Sequence, residues 1–409
     1  MQFARTWPGA LRAMRHYNFR LFFFGQLVSV IGTWMQSTAL QWLVYRITGS
    51  QTSLGLVTFA NFLPVLILSL FMGVVVDRFP RRTLIVFTQT WFMLMAVALA
   101  ALTWLRIVQF WHILTLSLFL GVANALDMPA RQAFVVEMVD GDKHDIMNAI
   151  GLNSTLFNLA RIIGPAIGGM VVARLGEAPA FAINAVTFLA VITALLLMHL
   201  PPPVLADRRT APLDNLKGGL RYLVGERAIF GLVAMVALFS MMGFGALTLL
   251  PVFAKDILHT GAEGFGQMLA MQGIGALGGA LTLILFGDRL PKGRMLLLAR
   301  VLIGPAIAGL ALSRNVTLTM GLMVVLGYSF IVQLIFTNTL IQILVPDDLR
   351  GRVLSTYTWA LGGFYPLGSL LTGFIGDHIG APNAALLSAV ACLGLVVFNL
   401  VKFPEMQRL

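Results

Sequence analysis

From residue 20 almost to its end, the chain alternates long apolar runs with short polar interruptions. The runs match the roughly 20 residues that an α-helix needs to cross a bilayer. Their apolar positions are continuous instead of alternating, which selects helices over the strands of a barrel. In lipid each backbone N–H and C=O must be satisfied within its own segment, and a helix achieves this. The pattern predicts twelve spans, at 20–45, 52–76, 83–105, 110–133, 146–174, 179–199, 228–255, 264–287, 294–313, 316–344, 353–376 and 380–402. The chain is expected to be an all-α polytopic membrane protein. The first run is too long for the apolar core of a secretory leader and no small-residue cleavage site follows it, so the N-terminus is expected to be retained.

Composition agrees with this reading. Of 409 residues, 58% are hydrophobic and 11% charged, with a mean hydropathy of +0.87, whereas soluble domains are about a quarter charged. The net charge of +11 raises nucleic acid as a partner, and its distribution answers that question. Twelve spans put both termini on one side. That side collects 22 Lys and Arg residues, from Arg5, Arg12, Arg15 and Arg20 in the N-terminal arm to Arg289, Lys292, Arg294 and Arg300 after the eighth span. The other side has five, Arg46, Arg106, Arg174, Lys255 and Arg314. Such a bias orients both termini to the cytoplasm of a cell membrane. The basic charge is a topology signal, and the partner it implies is the lipid bilayer, with no nucleic acid.

The long polar interruption that begins at Pro201 divides the chain into a 1–19 arm, a 20–199 six-helix bundle, a 200–227 linker, a 228–402 six-helix bundle and a 403–409 tail. In the linker Leu213, Leu216, Leu220 and Leu223 recur at helical spacing, which suits either a short helix on the membrane face or a solvated connector. The halves echo each other. GVVVDRFPRR from Gly73 corresponds to GDRLPKGR from Gly287, with Asp77 and Asp288 211 residues apart. The acidic stretches before the fifth and eleventh spans put Asp142 and Asp348 206 residues apart. A duplicated six-helix unit is a common transporter plan, with the substrate site near the midplane where the repeats meet.

The loop Gly-x3-Asp-Arg-x2-Arg-Arg after the second span, on this framework, resembles motif A of the major facilitator superfamily. NFRLFFFGQLVSVIGTWMQ at Asn18, ALDMPARQAFVVEMV at Ala125 and NAIGLNSTLFNLARIIGPAIGG at Asn148 resemble its drug:proton antiporter branch, which includes enterobactin exporters and macrolide-efflux proteins. The resemblance implies the major facilitator fold and a cytoplasmic gate built from Gly73, Asp77, Arg78, Arg81, Asp127, Arg131, Asp288 and Arg289. In it Asp77 docks on the start of the eleventh helix, and Arg81 pairs with Asp127. The residues alone also allow turn chemistry at Gly73 and an i,i+4 ion pair between Asp127 and Arg131. Asp127 and Glu137 are the proton-coupling candidates, because the other acids fall in loops or at helix ends. The branch's usual mid-helix arginine, four residues before Gly121, is replaced by Ser117.

Polar stripes mark the remaining interior. Gln26, Ser29, Thr33, Gln36, Ser37 and Gln41 share a face of the first helix, Ser154, Asn158 and Arg161 one of the fifth, and Gln333, Asn338 and Gln342 are looser on the tenth. Such residues face a cavity or tie helices together. Arg161, Asn158, Gln26, Thr33, Gln36 and Gln333 are expected to line the substrate cavity, with Phe23, Trp34, Trp42 and Tyr365 as candidate aromatic walls. Gly164-Pro165-x2-Gly168-Gly169 resembles motif C of exporters and is expected to act as a hinge and packing seam on the fifth helix. Arg161, near mid-membrane, is expected to be the sole charge of the central membrane. It needs carbonyls, water or an anionic ligand, or a tie to Asn or Gln of a neighbouring helix.

An enzyme is not expected. The six histidines are scattered, no phosphate-binding Gly-rich loop appears, and the single cysteine, Cys392, excludes a disulfide framework or a cysteine-rich metal site. No cofactor or metal is implied. The expected activity is secondary export of a hydrophobic or amphipathic small molecule of drug, macrolide or siderophore class, with protons as the coupling ion. An importer or lipid transporter on the same fold, or a non-transporting sensor or scaffold, is the alternative.

Overall fold

A computed structural model describes residues 9–139, 143–200, 221–287 and 289–404. Their long helices are α1 (Tyr17–Thr48), α2 (Gln51–Arg78), α3 (Arg81–Trp104), α4 (Phe110–Glu137), α5 (Lys143–Leu175) and α6 (Glu177–Leu197). The second set is α7 (Arg227–Ile257), α8 (Gly261–Phe286), α9 (Lys292–Leu312), α10 (Val316–Leu344), α11 (Asp347–Ile379) and α12 (Ala381–Lys402). No strand occurs among the described residues. Ten of these helices are long and apolar enough to cross a membrane; α1 and α11 fall short of that standard. The shortfall has a plain cause, since α1 carries the polar stripe and α11 is interrupted by Ser, Thr, Tyr, Gly and Pro from Ser355 to Thr372.

Local chemistry sets the helix ends. Gly49 closes α1 in the left-handed region at φ 61, a conformation that costs glycine little. Ser50 then caps α2 by accepting from the Ser53 N–H at 3.2 Å. Asn315 caps α10 by accepting from the Leu318 N–H at 3.0 Å. Pro80 and Pro291 occupy the same place before α3 and α9. α7 is the irregular member, with π-helical turns at Ser240–Phe244 and Phe253–Ile257. Of the linker leucines, Leu213, Leu216 and Leu220 lie outside the described residues, while Leu223 sits in a helical segment at 221–225 and is buried.

Within the first set α1 packs on α5 and α6, α3 on α4 and α6, and α2 on α4. The second set repeats the scheme, with α8 on α10 and α9 on α10 and α12. The sets meet through α2 with α11 and α5 with α8. Outward-facing apolar side chains such as Trp104, Leu197, Ile284, Val390 and Val401 are left exposed around the exterior, as lipid requires.

One charge lies where the sequence did not put it. Arg300 is 0% exposed, well inside α9, instead of at the basic loop before it. The membrane interior therefore holds a second arginine, and Arg161 is not its sole charge.

Candidate functional site

The amino-terminal and carboxy-terminal ends of the helical array share one face, here called the terminus face. Polar contacts between the two sets concentrate on the opposite face. There Asp377, at the end of α11, accepts from the Ser50 hydroxyl at 2.6 Å, the Gln51 N–H at 2.6 Å and the Thr52 N–H at 3.0 Å, all at the start of α2. Burial works against the carboxylate, but these hydrogen bonds outweigh it and hold the Asp377 pKa below the usual range. The α2 dipole points its positive end at the same group. Nearby, the Tyr45 hydroxyl donates to Asp256 of α7, the Lys255 ammonium lies 5.1 Å from the Tyr45 ring centre, and Trp42 stacks on Phe265 of α8 at 6.4 Å.

Small residues make this closure possible. A Cβ at Gly373 would strike the Gln51 carbonyl and come within 3.2 Å of the Thr52 Cα. One at Gly55 would reach the Leu370 Cα at 2.7 Å. The motif C run does the same on α5. A Cβ at Gly168 would come within 2.9 Å of the Met35 carbonyl of α1, one at Gly164 would strike Trp34 and Ile31, and one at Gly169 would come within 2.6 Å of the Ala262 carbonyl of α8. Pro165 is buried between them. The run is thus a seam with two sides, one to α1 in its own set and one to α8 in the other.

The terminus face is different. A Cβ at Gly73 would meet nothing within 4 Å. The side chains of Asp77, Arg78 and Arg289 make no hydrogen bond or ion pair among the described residues, and Asp288 lies outside them. No hydrogen bond, ion pair or ring contact joins the two sets at this face among the described residues. Arg81 pairs with Glu137, not with Asp127 as the sequence suggested. Glu137 ends α4 beside the loop, whereas Asp127 lies ten residues, about 15 Å, deeper along that helix. Asp127 instead accepts from the Thr88 hydroxyl at 2.6 Å, the Gln89 amide at 2.9 Å and the Arg131 guanidinium at 2.6 Å, so the i,i+4 pair does form. Asp145, 0% exposed, binds Arg12 at 2.6 Å, His16 at 2.7 Å and also Arg15, fastening the N-terminal arm to α5.

Between these faces stands Arg161. Its guanidinium carbon lies 5.5 Å from the Trp34 ring centre, the residue is half-buried, and no hydrogen bond or ion pair engages it among the described residues. Tyr365 of α11 lies in its neighbourhood. A chain of rings follows from Tyr365, with Phe62 of α2 at 5.4 Å, Phe244 of α7 at 6.2 Å, and Phe330 of α10 stacked on Phe244 at 4.0 Å. Both sets thus contribute rings to the region beside this cation.

The other polar positions divide. Asn158 is half-buried and donates to the Ser154 carbonyl at 3.0 Å; Thr33 is exposed and donates to the Ser29 carbonyl at 2.9 Å. Gln26, 1% exposed, accepts from Arg131, and Gln36, 7% exposed, accepts from the Asn184 amide of α6 at 2.8 Å. These two tie helices within their bundle and do not line a cavity. Gln333 is also buried, at 3% exposure. The Asp377 and Asp256 contacts and Arg300 are what the sequence reading missed. The signal it could have used for Asp377 is the Gly-x3-Asp spacing of Gly373 and Asp377, which repeats that of Gly73 and Asp77.

The comparisons agree with this architecture. A family described as transmembrane secretion effector, of the MFS type, matches residues 8–409. The chain is 25% identical over 384 residues to a staphyloferrin A transporter of Staphylococcus aureus, spanning 93% of this chain and 95% of that one. It is 27% identical over 403 residues to the multidrug efflux pump Tap of Mycolicibacterium fortuitum, spanning 95% and 96%. In structure it resembles a bacterial homologue of the human lysosomal transporter Spinster, with a TM-score of 0.76, 14% identity and coverage of 96% and 98%. The chain is a multi-pass membrane transporter of the major facilitator superfamily, and within it belongs to the transmembrane secretion effector family.

Proposed function

We propose that this protein is a secondary active exporter of hydrophobic or amphipathic small molecules, of drug, macrolide or siderophore class. It works by alternating access between the bundles 20–199 and 228–402, in the bacterial cell membrane, with the terminus face in the cytoplasm. The observation that carries this reading is the asymmetry of the two faces around Arg161. Among the described residues the sets are clasped on one face only, and a half-buried guanidinium beside aromatic rings stands between the faces. Such a site suits a ligand with an apolar body and an acidic or electron-rich group. The Lys and Arg bias supports the orientation, and with it the conformation is inward-facing. Efflux relatives support the direction of transport.

Coupling to protons fits Asp127 and Glu137 only through their partners. Asp127 is held by Arg131 and Glu137 by Arg81, so coupling at either acid would need its ion pair to part. The gate reading of Gly73, Asp77, Arg78, Arg81 and Arg289 belongs to the other half of the cycle, when the terminus face closes. The test is a substrate screen in proteoliposomes with an imposed pH gradient. Flux of the best substrate should rise with the gradient and fall at least tenfold in Arg161→Gln, with the variant still folded and inserted. Flux indifferent to the gradient ends the proton-antiport reading, and loss of folded Arg161→Gln protein ends the substrate role of Arg161.

A further inference from the structure

We propose that Arg300, Gln333 and Thr337 form a binding site for a small monovalent anion inside the second six-helix set. Arg300 is fully buried, and its Nε, Nη1 and Nη2 all lack a hydrogen-bond partner among the described residues. Its guanidinium carbon lies 5.8 Å from the centre of the Phe239 ring. Gln333 Oε1 and Thr337 Oγ1 are buried and equally without partners. A guanidinium in low dielectric with no counter-charge is costly, and removing five donors from water without replacing any bond adds to the cost.

The internal repeat says what is missing. The 211-residue offset that relates Asp77 to Asp288 also relates Pro80 to Pro291, the residues that precede α3 and α9. It carries Gln89 onto Arg300. The 206-residue offset that relates Asp142 to Asp348 also carries the first residue of α4, Phe110, onto the first of α10, Val316. It carries Asp127 onto Gln333 and Arg131 onto Thr337. The first set therefore holds Gln89, Asp127 and Arg131 where the second holds Arg300, Gln333 and Thr337. In the first, the carboxylate of Asp127 sits among the Gln89 amide, the Thr88 hydroxyl and the Arg131 guanidinium. In the second, the cation has moved to the other helix, an amide and a hydroxyl remain, and the carboxylate is gone.

The level of the residues agrees. A Cβ at Gly243 of α7 would touch the Phe330 ring of α10 at 3.0 Å and the Ile303 side chain of α9 at 3.4 Å, so these three share a depth. One turn towards the terminus face from each lie Phe239, Gln333 and Arg300. The donors present are those that would surround a carboxylate-sized ion: the guanidinium, the Gln333 amide N–H groups and the Thr337 hydroxyl. A single negative charge neutralises the single cation, as Asp127 does for Arg131.

The experiment is thermal unfolding of the purified full-length protein in sodium chloride or sodium formate against sodium gluconate at equal ionic strength. The wild type should show a saturable rise of about 3 °C with chloride, formate or both. Arg300→Gln should lose that response. Gln333→Glu supplies the carboxylate internally, so it should match the anion-saturated wild type in stability and respond to neither anion. If Arg300→Gln does not fold, Gln333→Glu decides by itself. A wild type equally stable in all three salts, or a Gln333→Glu variant that responds as fully as wild type, overturns the proposal.

Discussion

The α2–α11 pair has two ends, and they carry the same signature in opposite conditions. At the opposite face Gly373-x3-Asp377 of α11 meets the start of α2, with glycine admitting the backbone and aspartate capping its first turn. At the terminus face Gly73-x3-Asp77 ends α2, with nothing against the glycine. In the proposed cycle, the clasp at Asp377 is the pattern that Asp77 would follow when the terminus face closes. Each helix carries at its last turn the acid that can clasp the first turn of its neighbour, and the two clasps need not be made together.

Four substitutions or conditions test that comparison, and the first is the harshest. Gly373→Leu drives a side chain into the Gln51 carbonyl, and overpacking of this kind costs about 1–3 kcal/mol. It should hold the opposite face open and reduce flux about 10- to 100-fold. The assay is labelling of Phe62→Cys from that side with an impermeant maleimide, against a background kept low because Cys392 is buried. Asp377→Asn comes next. It removes a charged acceptor of three hydrogen bonds at a partly exposed site, so labelling should rise about tenfold; unchanged labelling would separate the clasp from the closure.

Asp77→Asn should act in the reverse sense and more weakly. Among the described residues the Asp77 carboxylate has no partner to lose, so stability should stay within about 0.5 kcal/mol while the outward-facing population falls. A marked loss of stability instead would mean that Asp77 already holds something at the terminus face. The smallest effect is that of pH on the wild type. The folded pKa of Asp377 is depressed, so its clasp is complete above the ordinary carboxylate range and weakens only as the pH falls below about 4. Labelling from the opposite face should therefore be flat across neutral pH and climb only in acid, and the climb should vanish in Asp377→Asn.

The sequence shows the helices well and their neighbours poorly. Apolar runs, the linker break and the Lys and Arg bias are local quantities, and some helix starts are marked by residues such as the caps Ser50 and Asn315 or by Pro80. The stripe on α1 is also visible, but a stripe names a face and not what the face meets. Gln26 and Gln36 are spent on Arg131 and Asn184 inside the bundle, while Thr33 on the same stripe stays exposed. Arg81 chose between two acids on one helix, and only the depth of the loop decides for Glu137. Arg300 hid for a different reason, since it follows three basic residues that do belong to a boundary, and proximity in sequence concealed a drop of two helical turns into the core.

The fastening of the N-terminal arm has a consequence in time. Arg12, Arg15 and His16 converge on Asp145, about 130 residues later in the chain. During synthesis the arm emerges with its positive charge uncompensated, and it cannot settle until four further helices have been made and the fifth has begun. Its docking is therefore a late event reporting that the first bundle has closed, and a ribosome stalled before residue 145 would leave that arm open to proteases.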